Sequence, residues 1–200
     1  MMFLRYILCF LTFASVLAAP AVVSAQTKSG NSKTKTKPLV TTVYLVRHAE
    51  KDTTGHPTDP PLSAAGQMRA LALRQTLLRR QPTALFTTDT KRTRATLAPL
   101  AEALKLEPQV YDPRRGRDLT DLITKDYAGK TVVIVGHSNN VLSLIDDFGA
   151  MLPVEEIKDD EYEYLFTVRL VEGLPPTVDM GGYGAEHKVD KSRASASTMK

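Results

Sequence analysis

The chain has 200 residues, of which 42% are hydrophobic and 24% are charged. This length and balance fit one ordinary globular domain and exclude a wholly disordered, fibrous or multi-domain protein. The formal net charge is +4, but many of the basic residues lie among Ser, Thr, Gly and Asn near the two ends of the chain. Without interleaved aromatic residues, these runs predict solvated tails and argue against a nucleic-acid-binding surface.

The first 25 residues have the three parts of a secretory signal peptide. Arg5 supplies a basic start, residues 7–17 form an apolar run, and Val23-Ser24-Ala25 is a small-residue cleavage pattern. A retained membrane anchor is the competing interpretation, but the apolar run is short for a membrane-spanning helix and Pro20 interrupts its end. We therefore expect a cleaved signal, a periplasmic or secreted protein, and no stable membrane insertion after cleavage.

The rest of the chain divides by composition into three segments. Residues 26–38 are polar and aperiodic and predict a flexible linker, residues 39–184 have the patterning of a folded domain, and residues 185–200 predict a disordered basic tail. Cys9 is the only cysteine and lies within the signal. The mature chain would therefore form neither a disulfide nor a thiolate metal site.

The predicted elements alternate between buried strands and amphipathic helices. Strands are predicted from β-branched and apolar runs, and helices from apolar stripes that begin at a capping residue or end before a proline. In chain order we predict a strand at 41–46, a helix at 64–80 capped by Ser63, a strand at 84–87, a helix at 91–104 kinked at Pro99, a strand at 109–111, a helix at 119–126, a strand at 131–135, a helix ending near Phe148, and strands at 164–171 and 177–180. This order predicts a three-layer α/β/α fold with a mainly parallel central sheet and an antiparallel edge hairpin near the C-terminus.

Basic side chains follow three of the predicted strands. Arg47 and His48 follow the first strand, Arg92 opens the helix after the second, and His137 follows the strand at 131–135. Because the carboxyl ends of parallel strands meet at one edge of a sheet, we expect these residues to share one crevice. A lone histidine at a strand end is usually an ordinary polar residue, but guanidinium groups suit a tetrahedral anion and an imidazole held at one nitrogen can act as a nucleophile.

Four motifs in this order are similar to those of a known family. They are Arg47-His48-Ala49-Glu50 and the segments at 59–67 (DPPLSAAGQ), 87–96 (TTDTKRTRAT) and 133–138 (VIVGHS). Together they resemble the histidine phosphatase superfamily, in its phosphoglycerate mutase-like branch, over residues 41–148. An isolated Arg-His pair is a weak signal, whereas four ordered motifs at matching strand ends are a specific one.

The resemblance implies roles for the strand-end residues. It implies that His48 accepts a phosphoryl group while Arg47, Arg92 and His137 bind the phosphoryl oxygens. The phosphohistidine is then hydrolysed. A cationic cradle of this kind requires no metal and no cofactor, because charge in phosphoryl transfer is spread over the equatorial oxygens. Arg94 is the alternative to Arg92, and we interpret it as a solvated helix residue.

The chain departs from the family pattern at the general acid. Many members have a glutamate after the third strand, but residues 111–118 contain none. Candidates to replace it are the carboxylates near the motifs: Glu50, Asp52, Asp112 and Asp118. The absence of the glutamate resembles the small phosphohistidine phosphatase-like members and argues against a mutase. Three arginines in the same segment either extend the pocket toward a second anionic group or form a solvated basic loop: Arg114, Arg115 and Arg117.

The sequence therefore predicts an exported, metal-independent phosphatase that acts on phosphomonoesters or phosphoramidates, in a phosphorylated small molecule or a phosphoprotein. The main alternative is a catalytically inactive module of the same fold that binds phosphate or a polyanion. The presence of all four strand-end residues counts against that alternative. A third possibility is an envelope-surface binding protein that uses the lysine-rich tails.

Overall fold

The computed structural model describes residues 38–55 and 58–185. The predictions of a signal peptide at 1–25 and of most of the linker and tail lie outside the described residues. The elements alternate as the sequence predicts. Their bounds are β1 (Val40–Arg47), α1 (Ala64–Leu77) with a 3-10 turn (Leu78–Arg80), β2 (Ala84–Thr87), α2 (Lys91–Leu104), β3 (Gln109–Val110), α3 (Gly116–Asp126), β4 (Thr131–Gly136), α4 (Ser138–Asp147), β5 (Tyr164–Val171) and β6 (Thr177–Gly182).

The strands form one six-stranded sheet in the order β3-β2-β4-β1-β5-β6. The first four strands in this order are parallel to one another, and β5 and β6 form an antiparallel hairpin at the edge beside β1. The predicted α/β class, with a mainly parallel sheet and an antiparallel edge hairpin, is confirmed. Strands β1, β2 and β4, whose ends bear the candidate residues, are neighbours in the middle of the sheet.

Both faces of the sheet are covered by helices. Alternate residues of β1 point to opposite faces, so Val43 and Leu45 pack in the cluster that contains the apolar residues of α3 and α4. Tyr44 and Val46 pack in the cluster that contains those of α1 and α2. Burial on both faces explains why this strand reads as a nearly continuous apolar run.

Two helices begin at side-chain caps that the sequence contains. Ser63 Oγ accepts a hydrogen bond from Gly66 N at 3.1 Å at the start of α1, and Thr90 Oγ1 accepts one from Thr93 N at 3.4 Å at the start of α2. The third helix begins earlier than predicted, at Gly116 rather than residue 119. An acidic residue, Asp118, lies in its first turn, where a carboxylate stabilises a helix N-terminus.

The C-terminal edge of the described domain is held by an arginine of α1. Arg69 is buried and donates to the backbone carbonyls of Tyr183 and Ala185, each at 2.9 Å. Ala185, the first residue of the predicted tail, thus accepts a hydrogen bond from α1, and the rest of that tail lies outside the described residues. Within residues 38–55 and 58–185, no helix is long and apolar enough to cross a membrane.

Candidate active site

The register of the central strands brings the two histidines together. Arg47 of β1 is paired with Gly136 of β4, and His48 N donates to the Gly136 carbonyl at 2.8 Å. The next residue on each strand, His48 and His137, therefore lies at the same level beyond the sheet. Their rings meet edge to face, with centroids 5.4 Å apart and an interplanar angle of 68°.

His48 is buried and held in one tautomer. Its Nδ1 lies 2.8 Å from the carbonyl oxygen of Ala49. Because a carbonyl only accepts, Nδ1 carries the proton and Nε2 keeps its lone pair. Burial lowers the pKa of His48 to about 3, the hydrogen bond to Ala49 opposes this shift, and the charges of Arg47 and Arg92 add to it. His48 is therefore neutral at neutral pH, with the lone pair of Nε2 available.

His137 is fixed by the two elements that flank it. Its Nε2 lies 3.0 Å from Thr88 Oγ1, at the end of β2. Its backbone N–H donates to Asn140 Oδ1 at 2.6 Å, and the Asn140 amide donates to the Tyr111 hydroxyl at 2.8 Å. Gly136 is required here, because a Cβ at this position would lie 2.5 Å from Asn140 Oδ1. Burial lowers the pKa of His137 to about 4, and the charges of the site arginines act in the same direction.

Arg92 is tied to the site by two of its three nitrogens. Nη1 contacts Asp59 Oδ1 at 3.3 Å, and Nη2 lies 3.3 Å from His137 Nδ1. Asp59 also accepts from the backbone N–H of Lys91, at 3.1 Å for Oδ2. The third nitrogen, Nε, is buried and finds no hydrogen-bond partner among the described residues.

Arg47 holds the segment that precedes the edge hairpin. Its Nη1 donates to three backbone carbonyls, those of Lys158 at 2.6 Å, Asp159 at 3.1 Å and Glu161 at 3.2 Å. The Tyr162 ring lies against the guanidinium, 4.3 Å from Cζ to the ring centroid. Arg47 Nε is also buried without a hydrogen-bond partner in the described part of the chain. Nη1 therefore anchors backbone, Nη2 lies 3.7 Å from Asp159 Oδ1, and the buried Nε–H can donate to a ligand.

The site has the electrostatic character of an anion-binding cradle. The charges of Arg47 and Arg92 act on both His48 and His137, so the four predicted side chains lie together. Buried N–H groups without a partner cost free energy. Two such donors on guanidinium groups, in a site with a histidine that has a free lone pair, are suited to binding an oxyanion by hydrogen bonds.

The four predicted acid candidates are each bound to a donor. Glu50 accepts from Arg69 Nε at 2.9 Å and 3.0 Å, and Asp118 is ion-paired with Arg115. A hydrogen bond from Thr54 lowers the pKa of Asp52. Hydrogen bonds from Arg114 lower the pKa of Asp112 to about 2. For Asp52 and Asp112 this is the opposite of the shift that a general acid requires.

Three residues of this site were not assigned a role from the sequence. Asp59 lies in one of the quoted motifs, and a carboxylate at that position could have been predicted to pair with a site arginine. Thr88 follows β2 and contacts His137, which its place at a strand end could have indicated. Tyr162 belongs to a segment without a predicted element, and its ring lies 6.1 Å from the His48 ring, centroid to centroid. No local pattern identified it.

The arginines that follow β3 are paired with carboxylates. Arg114 contacts Asp112 at 2.9 Å, and Arg117 contacts Asp147 at 3.2 Å. Arg115 is ion-paired in α3, as described above. The charge of this loop is therefore largely neutralised, which favours the solvated-loop interpretation. Arg94 is also exposed and paired with Asp89, in agreement with its interpretation as a solvated helix residue. In the described ranges, no group of three or more His, Cys, Asp or Glu residues is arranged to hold a metal ion.

Sequence and structure comparisons agree with this geometry. The family model described as "Histidine phosphatase superfamily (branch 1)" matches residues 43–114, which include Arg47, His48 and Arg92. Over these residues the chain is similar to the histidine phosphatase superfamily. The matched segment ends before His137, which the parallel pairing of β1 with β4 places beside His48. No curated protein matches the chain.

Solved structures of phosphatases have a similar fold. The protein histidine phosphatase SixA complexed with tungstate gives a TM-score of 0.57 at 16% identity, covering 70% of this chain and 96% of that chain. The mycobacterial glucosyl-3-phosphoglycerate phosphatase Rv2419c with inorganic phosphate gives a TM-score of 0.53 at 15% identity, covering 74% and 99%. The same mycobacterial protein with VO3 gives a TM-score of 0.54 at 13% identity, covering 67% of this chain and 98% of that chain. At these identities the similarity establishes the histidine phosphatase fold.

Proposed function

We propose that this protein is a phosphatase that transfers the phosphoryl group of a phosphomonoester or phosphoramidate to His48 and then to water. The observation that supports it best is the pair of Nε–H donors of Arg47 and Arg92, which are buried without a hydrogen-bond partner among the described residues, in the site that holds the His48–His137 pair. Removal of either donor from water without a partner is unfavourable, and an oxyanion at this position would offset that cost.

In the first step, the lone pair of His48 Nε2 attacks phosphorus. A P–N bond forms, and the bond from phosphorus to the leaving oxygen or nitrogen breaks. The hydrogen bond from Nδ1 to the Ala49 carbonyl stabilises the positive charge that develops on the ring. The arginines Arg47 and Arg92 stabilise the charge on the transferring oxygens.

In the second step, water attacks the phosphohistidine. The P–Nε2 bond breaks, phosphate is released with a proton to solvent, and His48 returns to its neutral form. The low pKa of His48 favours this step, because an imidazole that holds a proton weakly is also a good leaving group from phosphorus. The cationic groups already supply the charge stabilisation that a metal would provide, so we propose a metal-independent reaction.

The finer parts of the proposal rest on the sequence and on the relatives. SixA is described as a protein histidine phosphatase and Rv2419c as a glucosyl-3-phosphoglycerate phosphatase, so a phosphorylated protein and a phosphorylated small molecule are both candidate substrate classes. We further propose export to the periplasm or cell exterior, from the signal-like pattern at 1–25. The presence of His48 and the cradle together supports an enzyme over an inactive phosphate-binding module.

The decisive experiment measures phosphate release from a panel of phosphorylated compounds in the presence of a chelator. Wild-type protein is compared with His48→Ala, and circular dichroism verifies that both are folded. We expect turnover by the wild type, loss of turnover in the variant, and inhibition by vanadate. Undiminished turnover by folded His48→Ala would exclude this nucleophile. Loss of wild-type activity on chelation would exclude the metal-independent mechanism.

A further inference from the structure

The segment just before β5 forms a turn that is closed by its own hydrogen bonds. The Glu161 N–H donates to the Lys158 carbonyl at 3.1 Å, and the Glu161 carboxylate accepts a hydrogen bond from the Lys158 N–H at 2.8 Å. These two bonds link the first and the last residue of the turn at 158–161. The turn therefore presents its backbone carbonyls in a defined arrangement.

Three carbonyls of this turn converge on one nitrogen of Arg47. Those of Lys158, Asp159 and Glu161 accept from Nη1 at 2.6, 3.1 and 3.2 Å. Hydrogen bonds tolerate a range of angles, so contacts at one nitrogen fix its position more tightly than the tilt of the guanidinium plane. That tilt decides where Nε–H points, and this buried N–H has no hydrogen-bond partner among the described residues.

The Tyr162 ring covers one face of the same guanidinium. Its centroid lies 4.3 Å from Arg47 Cζ, a distance at which a cation is attracted to the face of an aromatic ring. Tyr162 is half-buried and Arg47 is only 5% exposed, so little water competes with this contact. The ring also lies 6.1 Å from the His48 ring, centroid to centroid, and so borders the phosphoryl site.

We propose that Tyr162 is a positioning residue that holds the plane of the Arg47 guanidinium with Nε–H directed toward the bound phosphoryl oxygens. The proposal rests on the proposed phosphatase function, which places those oxygens beside His48. The turn fixes Nη1, and the ring fixes the tilt of the plane. Donors that are already oriented stabilise the charge of a transferring phosphoryl group better than donors that must reorient. The aromatic face carries this role, and the phenol hydroxyl does not.

The test compares two substitutions of Tyr162 by their binding of vanadate, measured by isothermal titration calorimetry. Tyr162→Phe keeps the aromatic face, so the dissociation constant of vanadate is expected to stay within about twofold of that of the wild type. Tyr162→Leu keeps apolar bulk but removes the aromatic face, and the constant is expected to rise at least about fivefold. An unchanged constant in Tyr162→Leu, or equal losses in both variants, would overturn the proposal.

Tyr127→Leu is the matched control, because it also removes a tyrosine ring that lies beside a cation. The Tyr127 ring centroid lies 5.1 Å from Lys130 Nζ. Lys130 immediately precedes β4, whereas His137 follows the other end of that strand. Thermal unfolding followed by circular dichroism verifies that both leucine variants are folded at the assay temperature. Tyr127→Leu is expected to bind vanadate within about twofold of the wild type, and a rise equal to that of Tyr162→Leu would contradict the positioning role.

Vanadate also separates the positioning of Arg47 from a contact with the leaving group. It takes the place of the transferring phosphoryl group and has no leaving group, so its dissociation constant reports on the phosphoryl site alone. If the Tyr162 ring instead contacted the leaving group, Tyr162→Leu would lower kcat/KM for p-nitrophenyl phosphate and leave vanadate binding unchanged. That pattern would reject the positioning role.

Calorimetry distinguishes failure of this proposal from failure of the proposed function. If the wild type binds vanadate but releases phosphate from no compound, the phosphatase is contradicted, while the two Tyr162 variants still confirm or contradict the positioning of Arg47. Absence of vanadate binding by the folded wild type contradicts both.

Discussion

Arg92 Nη2 and His137 Nδ1 lie 3.3 Å apart, and this contact determines the protonation of the site. A guanidinium only donates, so Nδ1 must accept and the proton of neutral His137 resides on Nε2. Nε2 then donates to Thr88 Oγ1, which in turn donates to Thr93 Oγ1 at 3.0 Å. This series of hydrogen bonds ends where Thr93 Oγ1 donates to the backbone carbonyl of Thr88 at 2.8 Å. Each hydrogen bond in this series therefore has a fixed donor and a fixed acceptor. Protonation of His137 on Nδ1 would break its contact with Arg92.

Replacement of Arg92 by lysine is expected to lower kcat/KM by about a hundredfold or more. Lysine keeps the charge but cannot contact Asp59, His137 and a phosphoryl oxygen at once, since it lacks the planar fork. Steady-state kinetics on the best substrate of the panel measures the effect. Arg94→Lys, on the same helix but exposed and paired with Asp89, should keep its activity within about twofold. Similar losses in both variants would argue against a specific role for Arg92.

Asp59→Asn is expected to weaken oxyanion binding through Arg92. The change removes the ion pair at 3.3 Å, and it also removes a charge that raises the pKa of His137. We expect the inhibition constant of vanadate to rise about tenfold, the effect of losing a partly buried ionic contact. Asp52→Asn alters a carboxylate of the same connecting segment that accepts only from Thr54 N among the side-chain contacts described, and it serves as the comparison. An unchanged vanadate constant in Asp59→Asn would show that Arg92 is positioned without it.

The low pKa of His48 predicts an unusually broad acidic range of activity. The nucleophile must be neutral, and its pKa is lowered from 6.5 to about 3, so activity is retained as the pH falls below 6.5 and is lost only as it approaches 3. After correction for ionisation of the substrate, kcat/KM should stay level between about pH 7 and about pH 5. A histidine of ordinary pKa would instead lose about tenfold per pH unit below 6.5. Such a decline would contradict the buried, neutral state of His48.

The state of the acid candidates predicts that the rate of hydrolysis depends strongly on how readily the leaving group departs without a proton. The pKa values of Asp52 and Asp112 are lowered, and Glu50 is held by Arg69, so the leaving atom departs with little protonation. We expect p-nitrophenyl phosphate to be hydrolysed at least about tenfold faster than phenyl phosphate, because general acid catalysis is what normally levels such differences. Equal rates for the chemical step, measured by single turnover, would require an acid that the described carboxylates do not explain.

Local signals in the sequence were sufficient to predict the fold class and to place four candidate residues at the strand ends. Buried β-branched runs and capped amphipathic helices are patterns of neighbouring residues, so strands such as Ala84–Thr87 and helices such as Lys91–Leu104 could be predicted with their observed bounds. Because parallel strands expose their carboxyl ends at one edge, the residues that follow them could be assigned to one crevice.

The pairing of side chains across the fold was decided only by the tertiary structure. The register that places Arg47 opposite Gly136 sets His48 against His137, and no local pattern specifies that register. Asp59 and Tyr162 reach the site from connecting segments, whose approach depends on the packing of the elements that they join. The sequence by itself therefore determined which residues lie at the strand ends, since that depends on local periodicity. Tertiary structure decided their tautomers, pKa values and partners, because these depend on burial and on charges distant in the chain.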